Sequence, residues 1–204
     1  MSDPSDVPSA QPAGSASIDE VPVTIGRVDR EPLDNGSFSR MLIGKLAQTL
    51  QDVVGIEESA GFVAIVGQLM GTQINDAYRS ALGTDRLERG QIPDVLVDVK
   101  RRIGGEFSIE SADAERVVLT NSRCPFGERV IGRPALCMMT SNVFGSIAAE
   151  NLGYAKVRID QAIATGDSHC RVVVWTRPSD AALADTGREY FSAPEDTTAH
   201  PEST

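Results

Sequence analysis

Three cysteines, Cys124, Cys137 and Cys170, are the residues of this 204-residue sequence with the clearest capacity for special chemistry. A thiolate is a nucleophile, a redox centre and a ligand for soft metals. Cys124 opens the turn-like run Cys124-Pro125-Phe126-Gly127. Cys137 falls in the first turns of a helix that Pro134 opens, where the helix dipole and free backbone N–H groups favour a thiolate. Cys170 follows the turn Gly166-Asp167 at the start of a strand. A strand end, a helix start and a hairpin mouth can converge, and three thiolates there would hold zinc or an iron–sulfur cluster. The spacings match no compact CxxC knuckle. Inert core thiols, a metal site and a redox pair therefore all stay open. A fourth ligand is not evident, and Asp160 and an exogenous ligand both stay open. His169, adjacent to Cys170 on a strand, points to the opposite face. The only other histidine is His200, and no GxSxG, Walker or GxGxxG pattern is present.

The elements that must position these cysteines follow from periodicity. Ser37 caps a helix whose apolar residues run Phe38, Met41, Leu42, Leu46, Leu50 and Val53, with Gly55 as the stop. A second helix fits residues 60–82, where Gly61, Gly67 and Gly71 imply close packing. A third runs from Ile92 to Ile103 on the stripe Ile92, Val95, Leu96, Val99 and Ile103, with Lys100-Arg101-Arg102 in its last turn. That basic run, with Arg86 and Arg89, reads as a solvated face balanced by Glu88, Asp94 and Asp98. The period then changes to two. Phe107 and Ile109, then Val117 to Leu119, form a hairpin. After an irregular stretch from Asn121 to Arg133, a helix runs from Pro134 to about Asn151. Strands over Lys156–Ala164 and His169–Thr176 close the pattern. Helices and strands are segregated, so the expected class is α+β, with helices packed on a small antiparallel sheet.

Charge divides the chain. Residues 1–37 hold seven acids and two bases, and residues 178–204 hold six acids and one base, which accounts for the whole net charge of −10. The reading is a disordered acidic tail over 1–36, a folded domain over 37–177 and a second disordered acidic tail over 178–204. A neutral folded body does not suit direct nucleic-acid binding or a polybasic membrane anchor. No secretion signal or spanning segment is apparent, so a reduced cytoplasm is the expected compartment.

Val117 to Gly127 (VVLTNSRCPFG), Pro134 to Thr140 (PALCMMT), Val143-Phe144-Gly145 and Ala164 to Cys170 (ATGDSHC) together resemble the methanogen output domain. The resemblance covers roughly residues 38–177. That family is similar to the 4-vinyl reductase-type ligand-binding domains and to the C-terminal region of iron–sulfur repressors of cluster-assembly operons, in which a Gly-Asp-x-x-Cys hairpin ends a small-molecule or metal sensor. The resemblance implies a 4-vinyl reductase-like fold and a stand-alone sensory or signal-output domain without catalytic activity. It would bind a small ligand or metal near Cys124, Cys137 and Cys170, and act on a partner such as a kinase or regulator, with a homodimer left open. Two alternatives stand beside it: a zinc- or iron–sulfur-dependent regulatory protein, and a thiolate enzyme. The zinc-binding relatives carry a cysteine and a glutamate shortly before the last cysteine, where this chain has Ile159-Asp160-Gln161-Ala162-Ile163.

Overall fold

The computed structural model describes residues 34–192. Helix α1 spans Asn35–Val54 and α2 Ile56–Leu82, joined only by Gly55, whose φ of 90° is open to glycine. The N-cap of α1 is Asp34, whose carboxylate accepts from the Ser37 N–H while the Ser37 hydroxyl accepts from the Asp34 N–H. Helix α3 spans Ile92–Arg102, followed by the hairpin β1 (Phe107–Ala112) and β2 (Arg116–Asn121). After two short 3-10 turns come α4 (Cys137–Leu152), β3 (Tyr154–Gln161), β4 (Cys170–Trp175), α5 (Asp180–Ala184) and β5 (Arg188–Phe191).

The five strands lie in the order β1-β2-β4-β3-β5, every pair antiparallel. One sheet face, carrying Val117, Leu119, Val157, Val172 and Val174, packs against α3 and α4 in the main core. Helix α4 is buried almost all round, with α2 lying across its outer side. The contact is close because Gly67 and Gly71 face it. A Cβ at Gly71 would come within 2.7 Å of the Ser146 Cβ, and one at Gly67 within 2.9 Å of the Asn142 Cβ. Buried polar groups between these helices are paired. Asn151 accepts from the Leu87 N–H (2.7 Å) and donates to Asn75 (2.7 Å), which donates to Glu150 (2.7 Å).

The class is the expected one, helices packed on an antiparallel sheet. The C-terminal boundary differs. Residues 178–192 are not a tail: Ala182 of α5 closes the second sheet face over Val118, Val173 and Trp175. Strand β5 pairs with β3 from Tyr154↔Phe191 to Val157↔Arg188. Tyr190 enters the main core, seated on Gly145, where a Cβ would lie 2.2 Å from its ring, and its hydroxyl meets Ser141 at 2.8 Å. Trp175 donates to Asp185 (2.7 Å), and the buried Lys156 donates to the Ala182 carbonyl (2.8 Å). A four-residue strand with two aromatics in an acidic, Ser- and Pro-rich stretch is too short to stand out by periodicity. Its partners, β3 and α4, are supplied by the rest of the fold. The proposed tail over 1–36 and the residues beyond 192 lie outside the described residues, apart from Asp34 to Gly36.

Candidate functional site

The cysteines sit at a seam between the main core and a smaller apolar cluster. That cluster comprises Ala47 of α1, Val130, Leu136, Ala162 and Ala164, with Cys124, Phe126, Cys137, Ile159 and Ile163 packed against it. Local hydrogen bonds set each thiol. Asn121, at the end of β2, accepts from the N–H groups of Glu106 (3.0 Å) and Arg123 (3.2 Å), and so fixes the exit toward Cys124. The Cys124 carbonyl closes the turn to the Gly127 N–H at 2.9 Å. Pro134 opens the 3-10 turn that delivers Cys137 as the first residue of α4. Asp167 accepts from the Ala162 N–H (2.8 Å) and the Thr165 hydroxyl (3.1 Å), which shapes the bend before Cys170. The Cys170 sulfur accepts from the Ile163 N–H at 3.4 Å. The Gly132 N–H, bonded to the Ala164 carbonyl at 2.9 Å, ties the Cys124–Cys137 segment to this bend.

Between them lies a residue the periodicity misassigned. Lys100 is 4% exposed, not part of a solvated basic face. Its ammonium donates to the Thr140 hydroxyl at 2.8 Å and lies 5.3 and 5.8 Å from the ring centres of Phe144 and Phe107. Burial pulls its pKa down to about 8, opposed by the three thiols, Cys124, Cys137 and Cys170, all close enough to act on its charge. The signal was present in the helical phase: Lys100 falls four residues after Leu96, on the buried side, whereas Ile103 is exposed. Its neighbours Arg101 and Arg102 do face solvent and pair with Asp98.

The expectation of an activated Cys137 thiolate is reversed. Burial, followed by the proximity of Cys170 and Cys124, pushes that thiol up to about 12, and a helix start does not offset the loss of solvent. Burial also raises Cys124. All three cysteines are free and half-buried. Among the described residues no three His, Cys, Asp or Glu side chains are placed to hold an ion. The cation next to these sulfurs is Lys100 itself. Asp160 is committed to Arg158 and Arg171, and His169 meets its neighbour Ser168 at 3.1 Å and acts on Glu110. A polar groove of about 840 Å³ between α2, α4 and β5 and an apolar cleft of about 280 Å³ between α2 and α3 contain none of the cysteines.

Helices roofing one face of an antiparallel sheet, with three half-buried cysteines and a buried lysine at a seam, define an α+β domain. Residues 42–175 match the model of methanogen output domain 1, and the chain belongs to that family. Among solved structures, the phenol-responsive sensory domain of the transcription activator PoxR, crystallised with phenol, is similar over 72% of this chain and 76% of its own, at 15% identity and a TM-score of 0.57. A trafficking protein particle complex subunit 3 from Naegleria fowleri, covalently bound to palmitic acid, is similar over 71% of this chain and 96% of its own, at 15% identity and a TM-score of 0.52. At that identity the likeness is one of fold. No curated protein matches the chain in sequence. Among the described residues no helix is long and apolar enough to cross a membrane.

Proposed function

We propose that this protein is a cytoplasmic sensory domain without catalytic activity, which receives a small organic ligand at the Lys100–cysteine seam and passes the change to a partner protein such as a kinase or regulator. The observation that carries the reading is Lys100. A buried ammonium with one hydroxyl acceptor, two aromatic faces and three cysteine side chains around it is a costly arrangement to keep for packing alone. It suits an apolar molecule carrying an acidic hydroxyl or carboxylate, which would take the remaining ammonium protons while its hydrocarbon part displaces the thiol and phenyl lining. Family membership supports the sensory role, and the phenol-responsive neighbour shows that this fold can carry one.

The route outward is α1. Ala47 forms part of the same apolar cluster as Cys124 and Cys137, so opening the seam shifts the roof helix, whose far side is exposed. The test is protection: per-cysteine alkylation rates of the full chain with and without a panel of phenols, aromatic acids and fatty acids. One class should slow modification at Cys124, Cys137 or Cys170, and Lys100→Met should abolish the effect. No protection by any class, or protection that survives Lys100→Met, defeats the reading. A zinc- or iron–sulfur-dependent regulator draws on the same three thiols. Stoichiometric metal in anaerobically purified protein would replace the ligand reading with that one.

A further inference from the structure

Helices α1 and α2 carry an apolar surface that the fold leaves uncovered. On α1, Phe38, Leu42, Leu46 and Val53 are 48, 46, 61 and 76% exposed. Their spacing of three to four residues, with Thr49 filling the remaining position, puts them on one stripe. The opposite stripe, Ser37, Gly44 and Ala47, faces the body. On α2, Phe62, Ile65 and Leu69 are 55, 59 and 68% exposed, while Val63, Gly67 and Gly71 face α4. Val53 and Ile56 are both exposed on either side of Gly55, so the surface continues across the joint. Side chains of this size offer on the order of 150–200 Å² each, so these and their neighbours Ile43, Val66 and Met70 expose about 1,000 Å² in all. A monomer's largest apolar patch is usually about 300–600 Å². A stable dimer buries about 800 Å² on each partner.

We infer that this surface is the interface with a second copy of the chain, the α1 helices crossing antiparallel about a two-fold axis, with the start of α2 completing the contact. The charges select this occupant. Beside the α1 stripe lie Lys45 and, seven residues on, Asp52, both exposed. Antiparallel pairing that stacks Leu46 on the partner's Thr49 and Leu42 on the partner's Val53 brings Lys45 to the partner's Asp52, twice by symmetry. The same register carries the partner's Phe38 to the joint at Ile56. The flanks hold one cation, Lys45, against Asp52, Glu57 and Glu58, an acidic set that does not suit an anionic lipid surface. Residues 1–33 are the poorer match, their large apolar residues scattered with Val21, Val23, Ile25 and Val28 as the densest run, against about 70 Å of helix over α1 and α2. The inference rests on the helix surface alone and is independent of the cysteine site.

The test is sedimentation equilibrium of the full chain. Wild type should behave as twice the 21.8 kDa chain mass at micromolar concentration. Leu46→Glu and Phe62→Glu should each weaken the dimer at least 100-fold with unchanged circular dichroism, because both side chains are exposed in the monomer. Lys45→Asp should weaken it about tenfold, and adding Asp52→Lys should restore it to within about threefold. A monomeric wild type, a dimer that either glutamate variant leaves intact, or a charge swap without rescue would overturn the assignment. A wild type that stays monomeric and co-floats with liposomes would assign the surface to lipid instead.

Discussion

Replacing Lys100 by methionine should make the protein more stable and leave it unable to sense. Burial lowers the lysine pKa from 10.5 to about 8. At neutral pH that depression corresponds to about 3 kcal/mol of penalty for holding the ammonium in the core. Methionine fills a similar volume and places its sulfur near the rings of Phe107 and Phe144. Lost is the bond to Thr140, about 1–2 kcal/mol, part of which Thr140 recovers by turning its hydroxyl to the preceding helical turn. The balance is a gain of about 1–2 kcal/mol at pH 7, which in a domain of this size raises Tm by roughly 2–4 °C per kcal/mol. The pH dependence follows from the sign of the shift. Below pH 8 lysine is charged in both folded and unfolded chains, and the penalty is complete. Between about pH 8 and 10.5 the folded chain sheds the proton while the unfolded chain keeps it, so wild-type stability rises relative to the variant and the gap closes. Urea unfolding of both proteins at pH 7, 8, 9 and 10 measures it. A variant less stable than wild type at pH 7, or a gap that does not narrow with pH, would refute the reasoning and mean that Lys100 is held by a partner strong enough to offset its burial.

Gly71→Ala should cost about 1–3 kcal/mol in chemical denaturation, because the new methyl meets the Ser146 Cβ at 2.7 Å across the α2–α4 contact. A chain ended after Arg177 should lose about 3–5 kcal/mol or fail to fold, since it removes Tyr190 from the main core and Ala182 from over Trp175; a melting temperature equal to the full chain's would contradict the placement of β5. Cys137 should react with iodoacetamide at pH 7.5 at least 100-fold more slowly than in urea, its thiol being held near 12, and mass spectrometry of time points reads this directly. Asn151→Leu should cost about 2–4 kcal/mol by urea unfolding, because it strands the buried Leu87 N–H and breaks the Asn75 contact.

Sequence alone was enough for the class of fold and most of its parts. The 3.6-residue stripe of α3, the alternation along β4 that sends Val172 and Val174 to one core and Val173 and Trp175 to the other, and the glycines of α2 all report burial through local spacing. Local spacing also showed that Pro134 opens a helix and that Gly166-Asp167 turns the chain before Cys170. What it did not reveal depends on partners distant in the chain. Strand β5 forms because β3 offers a free edge and Gly145 leaves room for Tyr190, facts set more than thirty residues away. Lys100 looked like one of three cations in a last helical turn. Only the closing of β1 and α4 over it, with Phe107 and Phe144 on two sides, took it out of water. The Cys137 thiol was misjudged for the same reason. A helix start acts over a few ångströms and is visible in the sequence, whereas desolvation comes from everything packed around the sulfur, and here it outweighs the dipole.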